Sequence, residues 1–239
     1  MASNNKILGM AVRSAFALGL HREETMIIFG PAEQSVRRNL WRSLFVLDRF
    51  LAASLGRPTS IRESDCSGTT LQVGEQELPQ TELPAAASTA HAGSKTLGLD
   101  ASVRSCHVVG EILEKVYSKR KISTKFAQDI ADNSKGHLKL MDPRLNSHHA
   151  PSVNPSQGIA ILHVNLLYNH SIILLTRPFF LFLMNKMHLE QTDGRRVERH
   201  GTRMEKFGEA CVNASSTSIN LVQIALKGQY LPRRNPFVL

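Results

Sequence analysis

Apolar residues recur three or four positions apart along most of the chain, and the alternation of apolar and polar residues that marks a strand is nearly absent. The clearest helical pattern lies between Pro31 and Leu55, where apolar residues share one arc of a helical wheel. They are Val36, Leu40, Leu44, Leu47, Leu51 and Leu55, with Trp41 and Phe45 widening the same face. The pattern predicts a helix that buries this face in an all-α fold, as a helical bundle or a solenoid-like array.

Both ends of this helix carry residues that fit a helix terminus. Pro31 suits the first turn because its missing N–H needs no partner there, and Glu33 places a carboxylate near the positive end of the helix dipole. At the other end Gly56 can take the left-handed cap conformation, and Pro58 prevents the helix from continuing. The helix is therefore predicted to begin at about Pro31 and to end at Leu55.

Asp48 lies at the edge of the predicted buried face, and no basic residue stands three or four positions away to pair with it. A carboxylate at such an edge is costly to bury unless a distant group bonds to it. Arg57 is the first expected partner and Arg22 the second, because a guanidinium can fork onto a carboxylate. No second acid, histidine or serine that could share catalysis stands near it in sequence, so Asp48 is interpreted as half of a structural ion pair. Three other arginines are predicted to point to solvent, at positions Arg38, Arg42 and Arg49.

Helical spacing continues outside this stretch. Further helices are predicted over Ile7–Leu20, Val103–Tyr117, Lys125–Leu140, Gly158–Met184 and Thr202–Leu226. The helix that contains Pro178 should break near that residue, because proline removes a helical hydrogen bond.

Residues 67–102 interrupt the helical pattern. They consist mainly of Gly, Ser, Thr, Pro and Ala with a few acids, which is a linker composition. The sequence therefore predicts an N-terminal helical part over residues 1–66, a flexible linker near 67–102, and a C-terminal helical part of the same domain over 103–239.

The most apolar stretch, Gly158–Met184, is long enough to be tested as a membrane span. It contains histidines, asparagines and an arginine that would be costly in lipid. These residues are His163, Asn165, Asn169, His170 and Arg177. A buried helix is predicted here rather than a membrane span.

The net charge of +9 would suit an anionic partner such as nucleic acid. The basic residues gather in three short groups, Lys119–Lys121, Arg195–Lys206 and Arg233–Arg234, without interleaved aromatic residues that could stack on bases. These groups are interpreted as solvated helix ends and loops, and no specific DNA contact is predicted.

The sequence contains none of the motifs with the clearest chemistry, such as a Gly-rich phosphate loop, a Gly-x-Ser-x-Gly elbow or paired Cys-x-x-Cys. Its three cysteines, Cys66, Cys106 and Cys211, lie far apart, and each is interpreted as a small buried hydrophobic residue in a reducing compartment. No enzymatic activity, cofactor or metal site is predicted for this chain.

Two runs of sequence resemble the middle homology region of fungal transcription factors, a family whose members often carry a binuclear zinc cluster for DNA binding elsewhere in the chain. The runs are AVRSAFALGLHREE, residues 11–24, and RRNLWRSLFVLDRFLAASLGRPTSIRESDC, residues 37–66. Glu63 stands where the family pattern has aspartate, which keeps the charge. Residues 166–180 and 228–239 resemble later parts of the same region. The family-motif positions, to which the resemblance gives a structural role, are His21, Arg22, Arg37, Arg38, Trp41, Asp48, Arg49, Gly56, Arg57 and Pro58.

The resemblance implies a regulatory domain of a nuclear transcription factor that does not itself contact DNA. Zinc would belong to the separate DNA-binding module, whose closely spaced cysteines this chain lacks. Protein partners or a homodimer are expected, with a small effector as a further candidate ligand and no membrane. The chain is also expected to be truncated, since it opens inside the family's region.

Two alternatives stay open. The chain could be an all-α protein that binds a small molecule or acts as an enzyme, with a pocket lined by the regions of Trp41 and Phe179–Phe180. It could also be a truncated product that acts only as a competitor for partner proteins. Two converging ionisable groups of perturbed pKa in a pocket would favour the first alternative.

Overall fold

A computed structural model describes residues 2–67, 70–71, 89–118, 155–193 and 202–228, with single helical positions at 125, 129 and 132. Every regular element in these ranges is helical, which confirms the all-α prediction. The long helices are α1 (Ala2–Ala17), α2 (Pro31–Leu55), α3 (Thr89–Ile112), α4 (Pro155–Asp193) and α5 (Thr202–Lys227). A 3-10 turn covers Glu63–Asp65, and a π-helical turn at Leu113–Tyr117 follows α3.

The chain forms two compact units, Met1–Gly110 and Glu111–Leu239. Helix α3 begins at Thr89, inside the stretch predicted to be a linker, so the predicted start of that helix at Val103 is wrong. Its first turns are rich in Ala, Gly, Ser and Thr, and they carry no apolar stripe that could have been recognised. The three-part domain division stays a prediction, and residues 72–88 of the proposed linker lie outside the described ranges.

In the first unit α1 buries one narrow face. Leu8, Val12 and Ala15 are buried at helical spacing, whereas Ile7 and Leu18 are exposed. Many of the most deeply buried residues of this unit come from α2, the chain that follows it, and α3. They include Trp41, Phe45, Ile61, Ala101, Val103 and Cys106.

Helix α2 has the boundaries that its terminal residues predict. Pro31 lies in its first turn, and Gly56 caps its end with φ +63° and ψ +37°. The Gly56 N–H and the Arg57 N–H both donate to the Ala52 carbonyl, which satisfies a group left open by the end of the helix.

The buried face of α2 is rotated away from the predicted stripe. Val36 and Leu40 are 67% and 50% exposed, so their predicted burial is wrong. Trp41 and Phe45 are buried as predicted, and the other buried residues of the helix are Val46, Asp48, Arg49 and Ala52. A charged pair can be buried when the two groups bond to each other and to the backbone, and a helical wheel that counts only apolar residues does not predict this.

The three arginines predicted to point to solvent are also paired. The Arg42 guanidinium lies 3.0 Å from the Asp100 carboxylate of α3, and that of Arg38 lies 3.7 Å from Glu23. Arg49 is almost completely buried. Their predicted exposure is therefore wrong, and Arg42 instead ties α2 to α3.

In the second unit α4 and α5 pack along each other. Leu162 and Leu166 of α4 lie against Leu221 and Ala225 of α5. The rings of Phe179 and Phe207 stack with centroids 5.0 Å apart. Helix α5 covers the range predicted for the last helix, whereas the predicted helix at Lys125–Leu140 falls almost entirely outside the described residues.

Helix α4 continues through Pro178, so the predicted break is wrong. Proline has no N–H, which leaves the Leu174 carbonyl without its helical donor. The Tyr117 hydroxyl donates to that carbonyl at 2.9 Å. The lost helical bond is replaced from outside the helix, which removes one reason for the helix to end.

By length and composition alone, Gly158–Leu189 could cross a membrane, with a mean hydropathy of 1.5 over its most apolar window. The share of that window buried inside the structure is 56%. Core helices meet the same criteria, so this property by itself is weak evidence for a span. The absence of a membrane partner stays a prediction.

Candidate functional site

Two neighbouring charged residues occupy the buried face of α2. Asp48 is 2% exposed and Arg49 is 3% exposed, and the Arg49 Nη1 donates to the Asp48 Oδ2 at 2.9 Å. Burying an ion pair is favourable only when the remaining hydrogen-bonding capacity of both groups is used. The groups that bond to Asp48 and Arg49 therefore indicate the role of the pair.

The pair fastens the segment that follows α2, residues 57–67, called the tail segment here. The Ser60 N–H donates to both carboxylate oxygens of Asp48, at 2.9 and 3.1 Å, and the Ile61 N–H donates at 3.1 Å. Arg49 Nη1 also donates to the Ile61 carbonyl at 2.8 Å. Asp48 and Arg49 thus hold the backbone of the tail segment at two consecutive residues, and we call this arrangement the tail clasp.

The predicted partners of Asp48 are wrong. Arg57 and Arg22 are exposed, and the partner is Arg49, the next residue of the same helix. The helical-neighbour rule considers residues three and four positions apart, so it misses a long side chain that folds back onto the residue before it. The backbone amides of the tail segment supply the other donors, and no feature of the sequence marks those amides.

A second layer joins the clasp to α3. Glu63 lies 3.5 Å from Arg49 Nη2, and the His107 Nδ1 lies 2.9 Å from the other Glu63 oxygen. Burial raises the pKa of Glu63, but His107 and Arg49 outweigh that effect, so the pKa lies below its ordinary value. The Arg49 guanidinium also sits over the Phe45 ring, 4.4 Å from its centroid.

Gly110 allows α3 to approach Arg49 closely. A Cβ atom at this position would lie 2.7 Å from Arg49 Nε, closer than real Cβ contacts come. Near it Cys106 is fully buried, and burial raises the pKa of its thiol to about 12. His107 and Gly110 also belong to the site. No signal in the sequence marks either residue, because both lie more than forty residues from the motif.

Three aromatic rings of the motif form a cluster at Trp41, which lies two turns before Asp48 on the same buried face of α2. The Trp41 ring, which is fully buried, lies 5.3 Å from Phe16 and 6.1 Å from His21 between centroids. Burial and then the nearby Arg22 lower the pKa of His21. Burial raises the pKa of Cys66 to about 11, so its thiol stays protonated at neutral pH. This cluster packs the loop after α1 against α2.

The remaining motif residues lie outside both clusters. Arg37 sits over the Phe29 ring at 3.6 Å and pairs with Glu33 at 3.0 Å. Gly56, Arg57 and Pro58 are exposed at the end of α2. The structure therefore brings together His21 with Trp41, and Asp48 with Arg49, but it gathers no single site from all ten motif positions.

The tail clasp is suited to holding structure. The Asp48 carboxylate already accepts from two backbone amides and one guanidinium, which leaves it poorly placed to take a proton from a substrate. Within the described ranges, no group of three His, Cys, Asp or Glu residues could hold a metal ion. The geometry therefore defines the first unit as a helical domain whose motif residues serve its own packing.

Comparison with known proteins identifies that domain. The model of the fungal-specific transcription factor domain matches residues 2–147, more than half of the chain, and the chain belongs to this family. The match includes the tail clasp and the aromatic cluster, so the predicted resemblance is confirmed.

Similar curated proteins are fungal regulators. An uncharacterised transcriptional regulatory protein of Schizosaccharomyces pombe is 22% identical over 93% of this chain and 26% of its own length. Filamentous growth regulator 27 of Candida albicans is 27% identical over 90% of the chain and 27% of its length. Activator of stress genes 1 of Saccharomyces cerevisiae is 26% identical over 78% of the chain and 20% of its length. No solved structure matches the chain.

These comparisons give the chain a regulatory role in transcription. Its relatives are transcription regulators and not enzymes. The chain spans about a quarter of the length of these relatives.

Proposed function

We propose that this chain is the regulatory part of a nuclear fungal transcription factor, which acts through protein contacts and does not read DNA itself. The observation that carries the proposal is the tail clasp, because it shows that Asp48 and Arg49, two family-motif residues, hold the domain together. Motif residues that stabilise the fold are consistent with a domain that acts through contacts of its folded surface with other proteins.

The charges of α2 support the absence of specific DNA reading. Arg37 pairs with Glu33, Arg38 lies near Glu23, and Arg42 pairs with Asp100. An arginine held by a carboxylate in this way contributes little to the release of counterions from phosphates. The family's zinc would then belong to a separate module, and we propose no cofactor for this chain.

Exposed apolar side chains support protein partners or a second copy of the chain. Ile27 and Ile28, in the loop before α2, are 73% and 81% exposed, and Val36 is exposed on α2 itself. Apolar side chains that gather on a surface are typical of protein contacts. A small effector would be an additional ligand under this proposal.

The DNA part of the proposal predicts weak binding that is indifferent to sequence. Counterion release would be its only driving force, so affinity for duplex should fall steeply as salt rises. The test is selection from a pool of random duplexes with the purified chain at physiological salt, followed by sequencing of the bound fraction. Enrichment of one motif would overturn this part, and a fluorescent fusion that stays outside the nucleus in fungal cells would overturn the localisation.

A further inference from the structure

The end of α2 carries a pattern that the regulatory role does not explain. The hydroxyl of Ser60 is preceded by an arginine at three residues' distance, Arg57, and by an apolar side chain at five residues' distance, Leu55. Serine/threonine kinases with an acidic substrate groove read an arginine at that distance, because its guanidinium can pair with carboxylates of the groove. Arg57, Pro58 and Ser60 are all exposed, and residues 57–61 are not helical.

The same serine is tied to the buried site. Its backbone N–H donates to both oxygens of the Asp48 carboxylate, while its residue as a whole is exposed. A negatively charged group added to Ser60 would therefore stand beside a buried negative charge whose hydrogen bonds hold the tail segment in place.

We propose that Ser60 is a phosphorylation site for a basophilic serine/threonine kinase, and that the phosphate releases the tail segment from Asp48. In the transfer, the Ser60 Oγ forms a bond to the γ-phosphorus of ATP and the bond from that phosphorus to ADP breaks. The hydroxyl proton passes to a carboxylate base of the kinase.

The charge balance determines the direction of the effect. A phosphoserine carries a charge of about −1.5 to −2 at neutral pH, and placing it beside a carboxylate is unfavourable. Arg57 and Arg62 are close in sequence, but both are exposed, so solvent screens their attraction to the phosphate. The Asp48 carboxylate is buried, where charges interact more strongly. Arg49 beside it is also buried and carries one positive charge, but Glu63 lies 3.5 Å from Arg49, so two carboxylates share that guanidinium.

The burial of Ile61, the residue after Ser60, links phosphorylation of Ser60 to release of the tail segment from α2. Ile61 is fully buried, so a kinase can take up an extended segment around Ser60 only while the tail segment is lifted from α2. Once the phosphate is in place, the segment cannot return to its bonds with Asp48 without bringing the two negative charges together. Phosphorylation thereby holds the tail segment in its released form.

Two other hydroxyls serve as comparisons. Thr25 also has an arginine three residues before it, Arg22, but its hydroxyl donates to the carbonyls of Gly19 and Arg22 within a turn. Ser64 is also exposed and lies in the same segment, but the residue three positions before it is Ile61 and not an arginine. Neither is expected to accept phosphate from such a kinase.

The test uses the full chain, ATP and a purified basophilic kinase that phosphorylates a peptide of residues 53–64 at Ser60. Mass spectrometry should locate a phosphate on Ser60 and none on Ser64 or Thr25. Arg57→Ala should slow the initial rate by about tenfold, the loss of one charge-assisted contact. Deuterium exchange of residues 57–67 should rise in the phosphorylated chain, and circular dichroism should show that Arg57→Ala leaves the helices unchanged.

Three outcomes would overturn the proposal. The first is a folded chain whose Ser60 stays unmodified after the peptide has been fully converted. The second is a rate on Ser60 that Arg57→Ala does not change. The third is a phosphorylated chain in which residues 57–67 exchange as slowly as in the unmodified chain, which would show that the phosphate does not disturb the clasp.

Discussion

At the scale of single residues, Asp48 is the group on which the tail segment depends. Its carboxylate, which is 2% exposed, joins two backbone amides and one guanidinium. Removing one partner of such a buried pair leaves an unpaired charge, which is more costly than losing an ordinary contact. The tail clasp should therefore be sensitive to small changes.

Replacement of Asp48 by alanine should lower the free energy of unfolding of the first unit by about 3–5 kcal/mol, because Arg49 would stay buried without its carboxylate. Arg57→Ala is the matched control, since this exposed arginine was the partner expected from the sequence. It should change stability by no more than about 0.5 kcal/mol. Urea unfolding followed by the fluorescence of Trp41, the chain's single tryptophan, reports on this unit. Equal effects of the two substitutions would contradict the clasp.

Gly110 provides a second test at a different residue. Gly110→Ala should destabilise the first unit by about 1–2 kcal/mol, because the overlap of the new Cβ with Arg49 Nε outweighs the gain in helix propensity. Gly9→Ala in α1 is the control, because a Cβ there meets nothing within 4 Å. That substitution should raise stability by up to about 1 kcal/mol. The same unfolding measurement applies, and two changes of the same sign would count against close packing at Gly110.

At the scale of elements, α4 shows how a helix tolerates an interior proline. The Leu174 carbonyl, which loses its helical donor to Pro178, accepts from the Tyr117 hydroxyl instead. Tyr117 ends the π-helical turn that follows α3. The continuity of α4 is therefore linked to a residue in another element.

A double-mutant cycle tests this link. Tyr117→Phe should destabilise α4 by about 1–2 kcal/mol, the cost of a carbonyl left without a donor. In a Pro178→Ala background the residue at 178 regains its N–H, so the same substitution should cost less than about 0.5 kcal/mol. Amide exchange within α4 measures both changes. Identical costs in the two backgrounds would show that the hydroxyl does not replace the missing bond.

The elements also show which features the sequence can predict. The ends of α2 could be placed because Pro31 and Gly56 act through local backbone geometry. The start of α3 could not be predicted, because its first turns lack an apolar stripe. The continuity of α4 could not be predicted either, because it depends on Tyr117, which lies outside the helix. The position of Asp48 on the helical wheel was enough to predict that this carboxylate is paired. Its bonds to backbone amides and the close approach of Gly110 to Arg49 depend on the folded chain, so the sequence could not predict them.

At the scale of the whole molecule, the family match and the site agree. Residues 2–147 belong to the fungal-specific transcription factor domain, and they include the tail clasp and the aromatic cluster around Trp41. The motif residues maintain the packing of this domain, and with it the surface through which we propose that the domain acts. Regulation by this chain should therefore require an intact clasp.

Transcription from a reporter driven by the full chain, fused to an unrelated DNA-binding module, tests this claim most directly. The wild-type fusion and the Arg22→Ala fusion, which changes an exposed arginine, should shift reporter output equally relative to the module alone. Asp48→Ala should return the output to that of the module, at a protein level matched by immunoblot. An unchanged output from the wild-type fusion, or a full effect from Asp48→Ala, would contradict a regulatory domain held by the tail clasp.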